Sequence, residues 1–166
     1  NPDFIITLDA DEIVMPKMKQ ILKEDLTILH PESDVFKIKF LEVREKPNQI
    51  RINDSTATDF FPKLYKLKNQ PRNLHYEKMK FPGNVHCSHI PQNVIGQKNP
   101  SITRLKVLHY GSYDEKLRIK KYEYYNKLDP NNVDFFGYEH LINPEKFSGP
   151  LQFAYLPDGA YIQDIK

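Results

Sequence analysis

Three carboxylates stand within four positions near the start of the chain, at Asp9, Asp11 and Glu12. They follow the apolar residues 4–8 (FIITL), a run that is typical of a buried strand. Along an extended backbone, residues two apart point the same way, so Asp9 and Asp11 are expected to face one hard cation. Such oxygen ligands favour Mg²⁺ or Mn²⁺, which can bridge to a phosphate. The segment predicts a metal–phosphate site, although a D-x-D also occurs by chance in solvated acidic turns.

Two histidine-containing segments could complete such a site. His109 ends an alternating strand, and Gly111 leads from it into a helix, whose N-terminus beside a histidine would suit a phosphate. His86 follows a Pro-Gly turn at residues 82–83. The alternative for each is a structural histidine that is held by hydrogen bonds.

The apolar pattern predicts the elements that position these residues. Helical spacing predicts a helix over residues 16–29, and a capping box at Ser112 and Glu115 predicts a second helix to about Leu128. Alternation predicts strands over residues 34–43, 60–67 and 102–110, with a short strand at 74–79. The tail after residue 142 is expected to be irregular.

The second helix is rich in tyrosine and basic residues. Its tyrosines are expected in the core because they recur at helical spacing, and its basic residues on a solvated face. The residues concerned are Tyr122, Tyr124 and Tyr125, and Arg118, Lys120 and Lys121.

Composition excludes several classes of protein. The 166 residues suit one domain, and no apolar run approaches the 20 or so residues that span a bilayer. A net charge of +2, with Lys and Arg spread along the chain, does not favour nucleic-acid binding. The single cysteine, Cys87, excludes an internal disulfide. Because the chain begins with Asn1-Pro2, we expect it to be the C-terminal piece of a longer protein.

Four segments, in order, resemble family 2 glycosyltransferases with the GT-A fold. Residues 3–12 resemble the apolar strand with its D-x-D-E signature, and residues 61–67 (FPKLYKL) are similar to the family's P-R-L-F-R strand. Residues 85–86 stand in the place of its V-H-E turn. Residues 108–111 (LHYG) match its H-Y-G segment. In the family that segment is followed by a basic helix that ends in D-P, and in this chain Asp129-Pro130 stands in the corresponding place. The resemblance covers residues 3 to about 130.

The resemblance implies a fold and a domain organisation. The fold is expected to be α/β, a partial GT-A (Rossmann-like) mixed sheet with flanking helices, truncated at the N-terminus. Residues 1–166 would form a single incomplete glycosyltransferase domain, family-like over 1–130 and followed by a tail over 131–166. Because the upstream nucleotide-binding half is missing, the isolated chain is expected to turn over slowly or not at all.

The resemblance also implies a reaction and its participants. Asp9, Asp11 and His109 would bind Mg²⁺ or Mn²⁺ and the diphosphate of a nucleotide-sugar donor, and the acceptor would be a saccharide or a cell-envelope molecule. Glu12 and His86 are the catalytic candidates, since Cys87 stands where many relatives have a glutamate base. Glu77 is a further alternative for the base, which the sequence does not assign. The resemblance favours inversion of configuration at the anomeric carbon of the transferred sugar. The enzyme would lie in the cytoplasm or peripherally at the inner membrane, with no nucleic-acid partner.

Two other classes stay open. A haloacid-dehalogenase-like phosphatase also has an apolar strand followed by D-x-D, and its first Asp attacks phosphorus. Ile13 stands where that motif has Thr, and Glu12 would repel the incoming phosphate. A non-catalytic remnant that binds a partner or a glycan is favoured by Cys87 and opposed by the joint presence of Asp9, Asp11 and His109.

Overall fold

The structure is a computed structural model that describes residues 3–53, 60–68, 70–76, 89–130 and 138–156. Seven strands lie in it: β1 Phe4–Ile6, β2 Glu12–Val14, β3 Val35–Glu42, β4 Gln49–Arg51, β5 Phe60–Lys66, β6 Ser101–His109 and β7 Phe153–Tyr155. The helices are α1 Met18–Glu24, continued by a π-helical turn at Asp25–Leu29, then α2 Glu115–Leu128, a 3₁₀ turn at Glu139–Leu141 and α3 Glu145–Ser148.

Five strands form one mixed sheet, in the order β1-β5-β3-β6-β2. Only β3 and β6 run parallel, and the other neighbours are antiparallel. β1 and β2 therefore lie at opposite edges of the sheet, although only residues 7–11 separate them in the chain. We call residues 7–11 the crossing segment. It carries Asp9 and Asp11 past the end of the sheet, beside the end of β6.

The sheet is packed on both faces. On one face α1 covers a cluster of side chains that includes Phe36, Ile38, Leu64 and Val107. These positions alternate along their strands, and each fully buried apolar side chain of this size contributes about 1.5–3 kcal/mol. Smaller clusters around Tyr65 and around Leu108 cover the other face. This packing on both faces fixes the strand ends at which the polar residues lie.

The main predicted elements are confirmed with small changes of boundary. The strands predicted over 34–43, 60–67 and 102–110 are β3, β5 and β6. The helix predicted over 16–29 begins at Met18, and its last five residues form the π-helical turn. The mixed α/β class is confirmed, as a curled mixed sheet with a few helices.

Four predictions about local structure need correction. The strand expected at residues 4–8 is the three-residue edge strand β1, and its side chains are only half-buried. The N-cap of α2 is Asp114, not Ser112, because the Asp114 carboxylate accepts the Leu117 N–H at 3.0 Å. The tail expected to be irregular contains β7, which pairs with β4. Residues 74–76 form no strand, and 77–79 lie outside the described residues.

None of the helices among the described residues has the length and apolarity needed to cross a membrane.

Candidate functional site

The acidic segment is a turn and not an extended backbone. The Glu12 N–H donates to the Asp9 carbonyl at 3.1 Å, and the Asp9 N–H donates to Glu12 Oε2 at 3.0 Å. This reciprocal pair of hydrogen bonds closes residues 9–12 into a turn. Asp9 and Asp11 were expected to point the same way because residues two apart do so along an extended strand, and that reason does not hold in a turn. The carboxylate of Asp9 contacts Lys63, whereas that of Asp11 contacts Lys121 and His109.

A buried lysine holds this turn. The Lys63 side chain is 1% exposed, and its Nζ lies 2.7 Å from both carboxylate oxygens of Glu12 and 3.3 Å from Asp9 Oδ2. The same ammonium group lies 4.9 Å from the ring centroid of Phe40. An ammonium group is buried this deeply only when it is paired, and here Glu12 and Asp9 supply the counter-charge.

Sequence reasoning missed Lys63 as a site residue. A signal was present in the sequence, because Lys63 stands between the apolar residues Phe61 and Leu64 in a predicted strand. A lysine inside a buried strand needs a carboxylate partner, and the acids of residues 9–12 were available as partners.

The carboxylates of Glu12 and Asp9, which both contact Lys63, differ in their environments. Burial raises the pKa of Glu12 above its usual value, and the hydrogen bond and charge of Lys63 offset this only in part. Burial would also raise the pKa of Asp9, but the charge and hydrogen bond of Lys63, with the charge of His89, outweigh it and lower that pKa. The reason is exposure, since the side chain of Glu12 is 1% exposed and that of Asp9 is 59% exposed.

Glu12 is therefore a positioning residue in this arrangement. Both of its oxygens bind Lys63, and its side chain has almost no exposed surface through which an acceptor hydroxyl could reach it. The role of general base, for which Glu12 was one of the candidates, requires hydrogen-bond reach to the substrate. The other catalytic candidate, His86, lies outside the described residues, as does Cys87.

Asp11 and His109 meet at the end of the sheet. The register of β2 on β6 places Glu12 opposite His109, and the Tyr110 N–H donates to the Asp11 carbonyl at 2.8 Å. As a result, His109 Nε2 lies 3.7 Å from Asp11 Oδ2. Lys121 Nζ, from α2, lies 3.2 Å from the same oxygen. All three side chains are about one-third exposed, so they are both held and accessible.

Gly111 permits this approach. A Cβ atom at residue 111 would lie 2.5 Å from His109 Nε2 and 2.9 Å from Asp11 Oδ2, closer than side chains tolerate. The glycine leaves room for the tips of these two side chains, which an alanine would push away, and its backbone is not left-handed.

Burial lowers the pKa of His109, and the charges of Lys121 and Lys63 act in the same direction, against the opposing effect of Asp11. The imidazole is therefore neutral at pH 7. A neutral imidazole keeps one nitrogen lone pair with which it can accept a hydrogen bond or bind a metal.

The lowered pKa of His109 predicts a loss of stability in acid. The unfolded chain, with a His pKa near the model value of 6.5, takes up the proton first, so stability present above that pH falls as the pH drops towards the folded pKa. We expect the urea midpoint of His109→Gln to decline less than that of the wild type between about pH 7.5 and pH 5. The exposed His75→Gln should keep the wild-type slope. Equal slopes for His109→Gln and the wild type would contradict the prediction.

The donor set suits a hard cation only in part. Mg²⁺ binds through one or two carboxylates together with phosphate oxygens, and Asp11 could supply one. The imidazole of His109 could add a nitrogen ligand to Mn²⁺, which accepts nitrogen more readily than Mg²⁺ does. Asp9 faces Lys63 and does not join them. The described ranges contain no cluster of three or more His, Cys, Asp or Glu that could hold a metal alone. A cation here would depend on a ligand such as a diphosphate for its remaining bonds.

A groove of about 640 Å³ opens beside Asp11 and Gly111. One face of α2 forms its wall, and we call it the α2 groove. The wall residues are Leu117, Lys120, Lys121, Glu123, Tyr124 and Lys127.

Two predictions for α2 are wrong. Tyr124 is 57% exposed and not in the core. Arg118 is buried and not solvated, because its guanidinium donates to the Ser112 carbonyl and to Glu45 Oε1, both at 2.8 Å.

His89 lies beside the turn. The Thr7 hydroxyl donates to its carbonyl, and its ring packs 5.3 Å from that of Phe61. No motif in the sequence marks this histidine.

Comparisons with protein-family models, with curated proteins and with solved structures found no match for this chain.

Proposed function

We propose that this chain is part of a glycosyltransferase that uses a nucleotide-sugar donor and a divalent cation, Mg²⁺ or Mn²⁺, with a saccharide or cell-envelope acceptor. The observation that carries the proposal is the convergence of Asp11 and His109. These residues, which the family resemblance names, lie far apart in the sequence, and their polar atoms lie 3.7 Å apart beside an open groove.

Asp11 and His109 are the residues that would hold the cation on the donor diphosphate. When bound, the cation would neutralise charge that builds on the leaving diphosphate. Lys121 shares Asp11 Oδ2 with His109, so it can turn to phosphate oxygens when Asp11 binds a cation. Lys63 and Glu12 fix the turn that presents Asp9 and Asp11. The general base stays open, with His86 as a proposal.

The test measures Mn²⁺ binding by isothermal titration calorimetry, with and without UDP or GDP. We expect the nucleoside diphosphate to tighten Mn²⁺ binding, and Asp11→Asn or His109→Gln to weaken it at least tenfold. Asp9→Asn should have the smaller effect, because Asp9 faces Lys63. The matched control is Glu32→Gln, an exposed acid away from the site.

Two outcomes would contradict the proposal. Mn²⁺ affinity that does not respond to nucleoside diphosphates would favour a non-catalytic remnant. Hydrolysis of p-nitrophenyl phosphate that depends on Asp9 would favour the phosphatase.

A further inference from the structure

One face of α2 carries large side chains that no other described element covers. The groove-lining positions 117, 120, 121, 124 and 127 recur at spacings of three and four, so they form one stripe along the helix. Leu117 is 51% exposed and Tyr124 is 57% exposed. Exposed apolar and aromatic side chains that line a concave surface are typical of a binding site.

The charges of the stripe indicate what it binds. Three lysines (Lys120, Lys121 and Lys127) face two carboxylates (Asp11 and Glu123), which leaves an excess of positive charge. Lys121 is paired with Asp11. Within the part of the chain that the structure describes, Lys120 and Lys127 have no ion pair. They lie seven residues apart, about 10 Å along the helix axis.

The aromatic ring between the lysines indicates the body of the ligand. An exposed tyrosine offers a flat apolar face with a polar edge, which suits the C–H face of a sugar ring and its hydroxyl groups. Tyr124 lies between Lys120 and Lys127 along the stripe. The groove volume of about 640 Å³ is within the usual range for small-ligand sites. A saccharide that carries an anionic group matches both the ring and the lysines.

We propose that the α2 groove binds a saccharide that bears a phosphate or carboxylate group, and that this saccharide is the acceptor. The identification as acceptor rests on the proposed glycosyltransferase function. The anionic group lies towards Lys127, because Asp11, which contacts Lys121, would repel it at the opposite end of the stripe. The uncharged hydroxyl groups then lie towards Asp11, where the proposed donor diphosphate binds.

The test titrates the whole chain with three oligosaccharides and no nucleotide or divalent cation. The probes are maltotriose, trigalacturonic acid and a maltotriose phosphate, followed by calorimetry or by NMR shifts. We expect both charged probes to bind at least tenfold more tightly than maltotriose. Lys127→Gln should remove most of that preference, and Tyr124→Ala should weaken all three.

Two exposed residues outside the groove provide matched controls. Lys19→Gln removes a lysine from α1, and Tyr155→Ala removes a tyrosine that is 63% exposed on β7. Both should bind the charged probes as the wild type does. A loss in either control equal to that of its groove counterpart would overturn the proposal.

Three further results would also overturn it. These are equal affinity for neutral and charged oligosaccharides, binding of inorganic phosphate as tight as that of the phosphorylated sugar, and stronger binding to phosphatidylglycerol vesicles than to any saccharide.

The two proposals can fail separately. Charged oligosaccharides bind the groove without Mn²⁺ or nucleotide, so this test does not depend on donor chemistry. If the charged probes bind and nucleoside diphosphates do not tighten Mn²⁺ binding, the groove is a saccharide site and the transferase proposal is wrong. If the reverse holds, the donor site stands and the groove proposal is wrong.

Discussion

Lys63→Met is expected to lower the free energy of unfolding by about 3–5 kcal/mol, because removal of one partner of a buried ion pair leaves the other charge unpaired. Glu12 would keep a buried carboxylate with no cation, and Asp9 would lose the contact that lowers its pKa. Urea denaturation at pH 7 measures the change. The exposed Lys106→Met on β6 is the matched control, and it should change stability by less than about 0.5 kcal/mol.

The double variant Lys63→Met/Glu12→Gln separates pairing from packing. Since it removes the buried charge as well as its partner, it should be less destabilised than the sum of the two single variants, by about 1–3 kcal/mol. Strict additivity would show that Lys63 does not stabilise the fold through Glu12, which would leave its contacts with Asp9 and Phe40.

Gly111→Ala is expected to weaken Mn²⁺ binding in the presence of UDP at least tenfold, the range seen when groups that orient metal ligands are disturbed. The new Cβ would lie 2.5 Å from His109 Nε2 and 2.9 Å from Asp11 Oδ2. One or both side chains must move away, which separates the two donors. Calorimetry gives the affinity, and the NMR signals of the His109 ring report the displacement directly.

Gly149→Ala is the control for Gly111→Ala. Gly149 has a φ of +70° and no atom within 4 Å of an added Cβ, so alanine there causes backbone strain without a clash. It should cost stability, about 1–3 kcal/mol, because a ψ of −171° with this φ is open almost only to glycine, and leave Mn²⁺ binding unchanged. An unshifted His109 ring in Gly111→Ala, or equal losses of affinity in the two variants, would contradict the role given to Gly111.

The elements with strong periodicity could be predicted from the sequence. β3, β6 and α1 each carry an apolar repeat along most of their length, and burial follows that repeat. β7 could not be predicted in this way, because a strand of three residues has too few positions to show alternation and depends on its partner β4. Tyr124 was misplaced for a related reason: helical spacing shows that residues share a face, but not which face is covered.

For the candidate site, the sequence indicated which residues to consider but not how their side chains are arranged. The sequence identified Asp11 and His109, and the structure brings them together through the register of β2 on β6. The sequence could not show that residues 9–12 form a turn. That turn is closed by the Glu12 carboxylate and held by Lys63, which lies fifty-one positions from Glu12. The contact of Asp9 with Lys63 could not be predicted for the same reason.

The free energy needed to open the crossing segment, and with it the candidate site, differs from the free energy of unfolding of the whole domain. At one end of the segment the Thr7 N–H donates to the Lys63 carbonyl at 2.8 Å. At the other end the Asp11 carbonyl accepts the Tyr110 N–H, also at 2.8 Å. The Thr7 hydroxyl on the His89 carbonyl and the Asp9–Lys63 ion pair also hold it. The strands that flank it, β1 and β2, are edge strands of three residues each. Short edge strands open locally at a fraction of the free energy of global unfolding. Release of Asp9 and Asp11 while the packed centre, β5-β3-β6, stays folded would therefore require both the fraying of an edge strand and the loss of the contacts of Asp9 and Glu12 with Lys63 on β5.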